Sequence, residues 1–168
     1  MISSVDHIMI AVKNLDQAIS DYEKILGITP CWKGKHNELG TENALFNFEN
    51  TYLELLSPCD AGSGTELINS LLAAKGDHLA GIALGTKNIE HVKEALTKDG
   101  YRVEIISGEA TSERDGKIRR WKNILLPSNL SRELFIFIVE HTEGSLQKYE
   151  NQLLMIWRDE KSLKKHHH

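Results

Sequence analysis

Short apolar runs along this chain alternate with segments in which apolar residues recur every three or four positions. Residues 5–12 are mostly apolar and β-branched at both ends, which is typical of a strand covered on both faces. Asn14 can then cap a helix that Gly27 ends. The apolar positions of this helix share one face: Leu15, Ala18, Ile19, Tyr22, Ile25 and Leu26. Three strands are predicted after it, at 28–35, 41–48 and 51–57.

The same order of elements occurs a second time. The segment 12–16 (VKNLD) recurs in type at 86–90 (TKNIE), where Asn88 caps a second helix that ends at Gly100. The strands predicted around this helix lie at 79–85, 101–106, 118–126 and 133–140. The repeat predicts an α+β fold of two β-α-β-β-β modules, 5–58 and 79–141. Their eight strands are expected to form a cleft or open barrel around a shared apolar interior.

The domain organisation follows from this repeat. One domain, residues 1–142, holds both modules, joined by a linker helix at 64–75. Residues 143–165 predict a C-terminal amphipathic helix, with Leu146, Tyr149, Leu153, Ile156 and Trp157 on one side. Packing on its own domain is the favoured interpretation, and contact with a partner in a homodimer is the alternative. The three histidines 166–168 are interpreted as the remains of a purification tag.

Composition limits the classes of function. The chain has 168 residues, of which 40% are apolar, and its formal net charge of −4 comes from charges of both signs. No basic surface suggests nucleic acid as a partner. Cys31 and Cys59 are too few for a disulfide framework, and no apolar stretch reaches the roughly 18 residues of a membrane span. We therefore expect a cytoplasmic protein that binds a small molecule and neither nucleic acid nor membrane.

Three sequence features resemble one known superfamily. They are a first strand that opens VDHI at 5–8, a capped helix that ends in Leu26-Gly27, and a strand that reads YLEL at 52–55. Together they resemble the vicinal oxygen chelate superfamily, which includes glyoxalase I, extradiol dioxygenases, fosfomycin-resistance enzymes and bleomycin-resistance proteins. The stretches 36–46, 52–56 and 114–121 resemble more narrowly the glyoxalase-like domain proteins of bacteria. This resemblance implies a lyase or isomerase that acts on a substrate with vicinal oxygens.

The resemblance also implies a metal site. In metal-dependent members, a His on the first strand of each module and a Glu on the last strand converge on an ion. The corresponding ligands are His7, Glu54 and Glu140, and Glu54 and Glu140 are then the catalytic carboxylates. Such a nitrogen and oxygen donor set suits Zn, Mn or Mg.

The second module departs from that metal pattern. Superposing the two repeated segments places Gly81 where the second His ligand is expected, and glycine offers no ligand atom. The divalent ion is therefore expected to be weakly bound or absent. If an ion binds tightly, His78 or His141 is the expected replacement, and Glu133 replaces Glu140 if the strand alignment is shifted.

Several further residues are candidates for binding the substrate. Thr41 and Asn43 are predicted to offer polar contacts at the rim of the cleft. Arg120 beside Trp121 predicts an apolar wall with an anion-binding head. The polar segment 107–117 is predicted to form a mobile lid or a long loop. His36, His91 and Cys59 are assigned to the surface or to loops.

Two functions remain open at this point. The first is a glyoxalase-like enzyme, with or without a divalent metal, and the presence of His7 and Glu54 favours it. The alternative is a binding protein of the bleomycin-resistance type that holds an apolar or aromatic ligand without metal. Gly81 in place of a ligand favours this alternative.

Overall fold

The computed structural model describes residues 1–131 and 134–144. Within these ranges the chain forms eight strands and four helices, in the order β1 (Ile2–Ala11), α1 (Leu15–Leu26), β2 (Trp32–His36), β3 (Thr41–Asn47), β4 (Tyr52–Pro58), α2 (Ser63–Lys75), β5 (His78–Thr86), α3 (Ile89–Lys98), β6 (Ile106–Ser112), β7 (Ile118–Leu125), α4 (Ser128–Ser131) and β8 (Phe135–Glu143). Most of the predicted C-terminal helix, from 145 onward, and Glu133 lie outside the described residues.

The strands close into a barrel in the order β1-β4-β3-β2-β6-β7-β8-β5. In the first module β1 runs parallel to β4, and β2, β3 and β4 form an antiparallel meander. The second module repeats this arrangement with β5 parallel to β8 and β6, β7 and β8 antiparallel. Antiparallel pairing of β1 with β5 and of β2 with β6 joins the two halves. The predicted α+β fold of two β-α-β-β-β modules is therefore confirmed.

The two long module helices begin where the capping signals predict. The Asn14 side chain accepts a hydrogen bond from the Gln17 backbone N–H at 2.9 Å, and Asn88 does the same for His91 at 2.9 Å. These bonds satisfy backbone donors that the first helical turn leaves free. Gly27 ends α1 in the left-handed region, with φ 68°.

Both helices cover the outer face of the barrel. Apolar residues of α1 pack with those of β3 and β4 in one cluster, formed by Val12, Leu15, Ala18, Ala44, Phe46, Leu53 and Leu55. The equivalent cluster under α3 contains Ile89, Val92, Val103, Ile124 and Ile138. Because each module has its own apolar cluster outside the barrel, the barrel interior is left to form a cleft. No helix in residues 1–131 and 134–144 is long and apolar enough to cross a membrane.

The prediction for the segment 101–117 is wrong in part. The expected strand at 101–106 starts only at Ile106, and residues 107–112 of the expected lid or loop belong to β6 instead. This strand pairs with β7 over six residues and with β2 over two. Its polar residues Ser107, Glu109 and Thr111 alternate with Gly108 and Ala110. Glu109 pairs with the exposed Arg120, so the polar side of β6 faces outward.

Candidate active site

The barrel interior forms a cleft of about 450 Å³, within the usual size range for small-molecule sites. The first module lines it with polar groups, among them His7, Asn43 and Glu54. The second module contributes Arg119 and an apolar wall that contains Phe135 and Phe137. A ligand in this cleft therefore contacts a charged side and an apolar side at once.

His7 and Glu54 lie side by side in the cleft wall. The Nε2 atom of His7 is 3.2 Å from Glu54 Oε2, and both side chains are largely buried. Strand alternation explains the meeting, because β1 and β4 run parallel and each turns these residues inward. The Tyr52 ring stacks on the His7 ring, with centroids 4.6 Å apart and planes 20° apart. The imidazole is thus held in one orientation.

A β-bulge adds Asp6 to this pair. Val5 pairs with Leu84 and His7 pairs with Ala83, so Asp6 is one extra residue in β1. Its carboxylate lies 2.8 Å from His7 Nδ1 and, on its other side, 3.0 Å from His141 Nε2. We call the chain His141, Asp6, His7 and Glu54 the relay.

The relay defines the protonation of His7. Both ring nitrogens of His7 face a carboxylate, and an ionised carboxylate can only accept a hydrogen bond. Burial alone would lower the pKa of His7, but the hydrogen bonds to Asp6 and Glu54 outweigh it and raise the pKa to about 9. His7 is therefore an imidazolium at neutral pH.

The pKa values of the two carboxylates of the relay, Asp6 and Glu54, are lowered. Burial alone would raise the pKa of Glu54, but hydrogen bonds from His7 and Asn43 outweigh it and lower the pKa to about 2. The pKa of Asp6 also lies well below its usual range, because bonds from His141 and His7 outweigh burial. The relay thus carries alternating charges along its Asp6, His7 and Glu54 members.

Asn43 binds the carboxylate oxygen of Glu54 that does not face His7. Its Nδ2 donates to Glu54 Oε1 at 2.7 Å, and its Oδ1 accepts from Trp32 Nε1 at 3.2 Å. Gly34 makes the second contact geometrically feasible, because any side chain there would collide with the Trp32 indole. Asn43 lines the cleft as predicted for a substrate contact, but it is buried and its amide is engaged by protein groups.

Thr41 and His36 form a second polar pair in the cleft wall. The Thr41 hydroxyl lies 2.9 Å from His36 Nδ1, and both residues are buried. The assignment of His36 to the surface is therefore wrong. Alternation along β2 turns Trp32, Gly34 and His36 to the buried side. Burial lowers the pKa of His36, so this imidazole is neutral at pH 7.

Of two adjacent arginines on β7, only Arg119 lies in the cleft. Arg119 and the predicted contact Trp121 share the inner face, whereas Arg120 is 44% exposed and pairs with Glu109 and Glu143. Adjacent residues on a strand point to opposite faces, so Arg120 and Trp121 are not brought together. Sequence reasoning missed Arg119, although its two-residue spacing from Trp121 was a signal.

Glu140 is not brought to His7 and Glu54. Its Oε2 accepts a hydrogen bond from the backbone N–H of Ile89 at 2.7 Å, at the first turn of α3. On β8 it is Val139 and His141 that line the cleft. Glu140 has the opposite parity and faces the helix layer.

Comparison with known proteins agrees with this architecture. A family model described as "Glyoxalase-like domain" matches residues 5–160. The chain belongs to the glyoxalase-like domain family. This membership and the fold confirm the resemblance to the vicinal oxygen chelate superfamily. A search of curated proteins found no match.

Solved structures with the same fold include methylmalonyl-CoA epimerases. A variant of the Streptomyces coelicolor enzyme in complex with 2-nitronate-propionyl-CoA has a TM-score of 0.67 and 22% identity, covering 85% of this chain and 100% of that chain. The Mycobacterium tuberculosis epimerase has a TM-score of 0.66 and 22% identity, covering 84% and 90%. A hypothetical protein from Bacillus halodurans has a TM-score of 0.66 and 20% identity, covering 84% and 96%.

In this member of the glyoxalase-like family, the superfamily's metal pattern is confined to the first module. The internal repeat relates Met9 to Ala83. Met9 pairs with Glu54, whereas Ala83 pairs with Phe137. The second-module counterparts of His7 and Glu54 are thus Gly81 and Phe137, neither of which offers a ligand atom.

The donor atoms that remain do not fit a divalent ion. Both nitrogens of His7 and both oxygens of Glu54 are engaged, within the relay and by Asn43. Among residues 1–131 and 134–144, no group of three His, Cys, Asp or Glu side chains is arranged to hold a metal. From the sequence, His78 or His141 is the expected replacement metal ligand. His78 lies away from the cleft, with its Nδ1 atom 2.7 Å from the carbonyl oxygen of Gly76.

Proposed function

We propose that this glyoxalase-like protein is a small-molecule isomerase that moves a proton at a carbon atom next to a carbonyl group. The His7–Glu54 pair supplies the acid and the base. The observation that carries the proposal is the placement of a buried imidazolium and a carboxylate 3.2 Å apart, both lining a cleft of small-molecule size. Isomerases of carbonyl compounds need one group that accepts a proton from carbon and one that stabilises the enolate oxygen.

The spacing of the pair suits this chemistry. In a carbonyl compound the acidic C–H and the carbonyl oxygen are only two bonds apart, so one substrate can contact both residues. Glu54 Oε2 accepts the proton as the C–H bond breaks, and the electron pair forms the enolate. His7 Nε2–H donates a hydrogen bond to the oxygen on which negative charge develops. Delivery of the proton to the neighbouring carbon, or to the opposite face of the same carbon, gives the isomer, whereas its return to the same face gives only hydrogen exchange.

Substrate entry also tunes the base. The hydrogen bond and the positive charge of His7 are two of the effects that lower the pKa of Glu54. When the Nε2–H of His7 donates to the substrate oxygen instead, Glu54 loses that hydrogen bond and becomes more basic. The hydrogen bonds that His7 donates to Asp6 and that Asn43 donates to Glu54 remain, and they hold both groups in position.

The comparisons support the reaction class. Two of the three solved neighbours bear the name methylmalonyl-CoA epimerase, which describes an isomerase. Sequence identity of 22% supports a shared fold and leaves the substrate of this chain open. A substrate with vicinal oxygens, as the superfamily resemblance implies, presents one oxygen to His7 and keeps another for a second contact in the cleft.

Hydrogen exchange at carbon tests the proposal. The protein, cleaved of residues 166–168, is incubated in D₂O with methylmalonyl-CoA and with the 2-oxo acids pyruvate and 2-oxobutyrate. Loss of the α-proton signal is followed by ¹H NMR. We expect exchange of at least one probe, with a rate at least about a hundredfold lower for Glu54→Gln, because the general base is lost.

The control is Glu104→Gln, which removes a carboxylate from the exposed pair with Lys93 and should leave the rate unchanged. Binding of a probe without exchange would contradict catalysis and favour the binding protein. Neither binding nor exchange of any probe would contradict a carbonyl substrate of this class.

The binding function is the second candidate, and one observation favours it. The side of the cleft formed by the second module lacks the metal-ligand residues and carries an apolar wall. There the rings of Phe135 and Phe137 are stacked, with their centroids 6.2 Å apart. Such a wall can hold an apolar or aromatic ligand without chemistry. Relay and wall coexist in one cleft, so the exchange experiment decides between the two functions.

A further inference from the structure

Arg119 is a buried cation that has no anionic partner in the described part of the chain. The residue is 4% exposed, and none of the ion pairs found among residues 1–131 and 134–144 includes it. Burying a charge without a partner is strongly unfavourable, so such residues are rare in cores. A buried arginine without a carboxylate partner therefore calls for an explanation outside the folding of the barrel.

Aromatic rings and hydrogen bonds hold the Arg119 guanidinium in position. Its Cζ atom lies 5.2 Å from the centroid of the Trp32 ring and 5.8 Å from that of Tyr52, within the range of cation–π contact. Its Nε donates to the carbonyl oxygen of Gly144 at 3.2 Å. Arg119 also shares a side-chain hydrogen bond with Tyr52. These contacts fix the plane of the guanidinium in the cleft wall, and of its five N–H donors others remain to donate to a ligand.

We infer that Arg119 is the anchor for a carboxylate group of the ligand. This inference rests on the proposed function for the reacting end of the molecule and adds the class of substrate, a carbonyl compound with a carboxylate. A planar guanidinium matches the two oxygens of a carboxylate in a paired geometry. One buried guanidinium also balances the single negative charge of a carboxylate, whereas a phosphate dianion needs more donors.

The location of Arg119 agrees with the relay. Tyr52 contacts both groups, since its ring stacks on His7 and lies beside the Arg119 guanidinium. A carboxylate on Arg119 is thereby placed near the reacting pair, and the remaining part of the ligand can lie on the wall that contains Phe135 and Phe137. Arg119 is thus a specificity-determining residue, which selects an anionic substrate for the His7–Glu54 pair.

Matched ligand probes test this assignment. Phenylacetate carries a carboxylate on an aromatic body, phenylacetamide is its neutral analogue of nearly the same shape, and phenyl phosphate tests the other anion. Thermal stability and titration calorimetry are measured at constant ionic strength. We expect phenylacetate to raise the Tm of the wild type with the logarithm of its concentration, and phenylacetamide to have little effect.

Variants of the two adjacent arginines provide the comparison. Arg119→Met should bind phenylacetate at least about tenfold more weakly, because a charged hydrogen-bonded contact is lost. The same variant should be as stable as the wild type or more stable without ligand, since it removes an unpaired buried charge. Arg120→Met, on the outer face, should bind phenylacetate like the wild type. Arg119→Lys keeps the positive charge but lacks the paired N–H groups of a guanidinium, so it should bind phenylacetate with intermediate affinity.

The outcomes separate the two proposals. Glu54→Gln should bind phenylacetate at least as well as the wild type while failing in the exchange assay, whereas Arg119→Met should fail in binding. Equal binding of phenylacetate and phenylacetamide would overturn the anchor, as would full binding by Arg119→Met or no binding by the wild type. Tighter binding of phenyl phosphate than of phenylacetate would overturn the choice of a carboxylate.

Discussion

Asp6 determines the state of the central histidine of the relay. Without Asp6, His7 would face one carboxylate and donate one strong hydrogen bond; with Asp6, both ring nitrogens donate. The folded protein therefore stabilises the imidazolium form over the neutral form. This preference makes the stability of the whole chain depend on pH.

The first prediction concerns that pH dependence. The pKa of His7 is raised from 6.5 to about 9 on folding, so its stabilising contribution is complete below pH 6.5 and is lost as the pH rises towards 9. The loss should be about 3 kcal/mol in the free energy of unfolding. The pKa of Glu54 is lowered from 4.5 to about 2, so its contribution is complete above pH 4.5 and is lost as the pH falls towards 2.

Urea unfolding at pH 6 and at pH 9.5 measures the stability that is lost when His7 is deprotonated. The wild type should lose stability over this interval, and His7→Gln should lose much less, because it has no imidazolium to deprotonate. An equal loss in both proteins would show that His7 is not the group responsible.

Within the strands, alternation separates residues that are adjacent in sequence. His141 belongs to the relay, while its neighbour Glu140 accepts a hydrogen bond from the first turn of α3. A carboxylate at a helix N-terminus satisfies a free N–H and interacts favourably with the helix dipole. Glu140 thus connects β8 to the helix layer, and its effect should be on stability.

The second prediction follows for Glu140→Ala. The free energy of unfolding should fall by about 1 kcal/mol, the usual loss for a helix N-terminal acceptor, and phenylacetate binding should not change. Glu143 lies on the same strand as Glu140 and is an exposed partner of Arg120. Glu143→Ala should lower the free energy of unfolding by less than Glu140→Ala does. A loss of probe exchange in Glu140→Ala without loss of stability would restore Glu140 as a catalytic carboxylate.

Across the whole molecule, the two modules share one fold and differ in chemistry. The first carries most of the relay, and the second carries Arg119 and the apolar wall. The close approach of β5 to β8 explains Gly81 in structural terms. A Cβ atom added there would overlap the carbonyl oxygen of Phe135.

The third prediction concerns Gly81→His, which would supply an imidazole where the internal repeat places the second His ligand. Because a side chain collides with the Phe135 backbone, Gly81→His should instead lower the free energy of unfolding by about 2 kcal/mol. Gly81→Ala should show most of this loss, since the Cβ atom is responsible. Added Zn or Mn should stabilise these variants no more than the wild type. Zn-dependent stabilisation of Gly81→His alone would show that the ligand position can be rebuilt.

Some properties of the whole molecule stay predictions. They are the division into a domain at 1–142 and a helix at 143–165, a homodimer, and a cytoplasmic location. The first of these depends partly on residues beyond 144.

Local and repeated patterns determined the fold. Asn14 and Asn88 cap helices through bonds within their own first turns, so sequence spacing alone predicts them. The repeat of such signals gives two equivalent modules, and alternation on β1 and β4 turns His7 and Glu54 inward. Each of these inferences needs only short-range geometry.

Tertiary structure decided which other residues join the site. Strict alternation separates Asp6 from His7, and only the bulge opposite β5 brings them together. The choice of Arg119 over Arg120, and of His141 over Glu140, depends on the register of β7 and β8, where a shift of one residue exchanges the faces. Register is determined by pairing between strands far apart in sequence. A pattern read along one segment contains no information about that pairing.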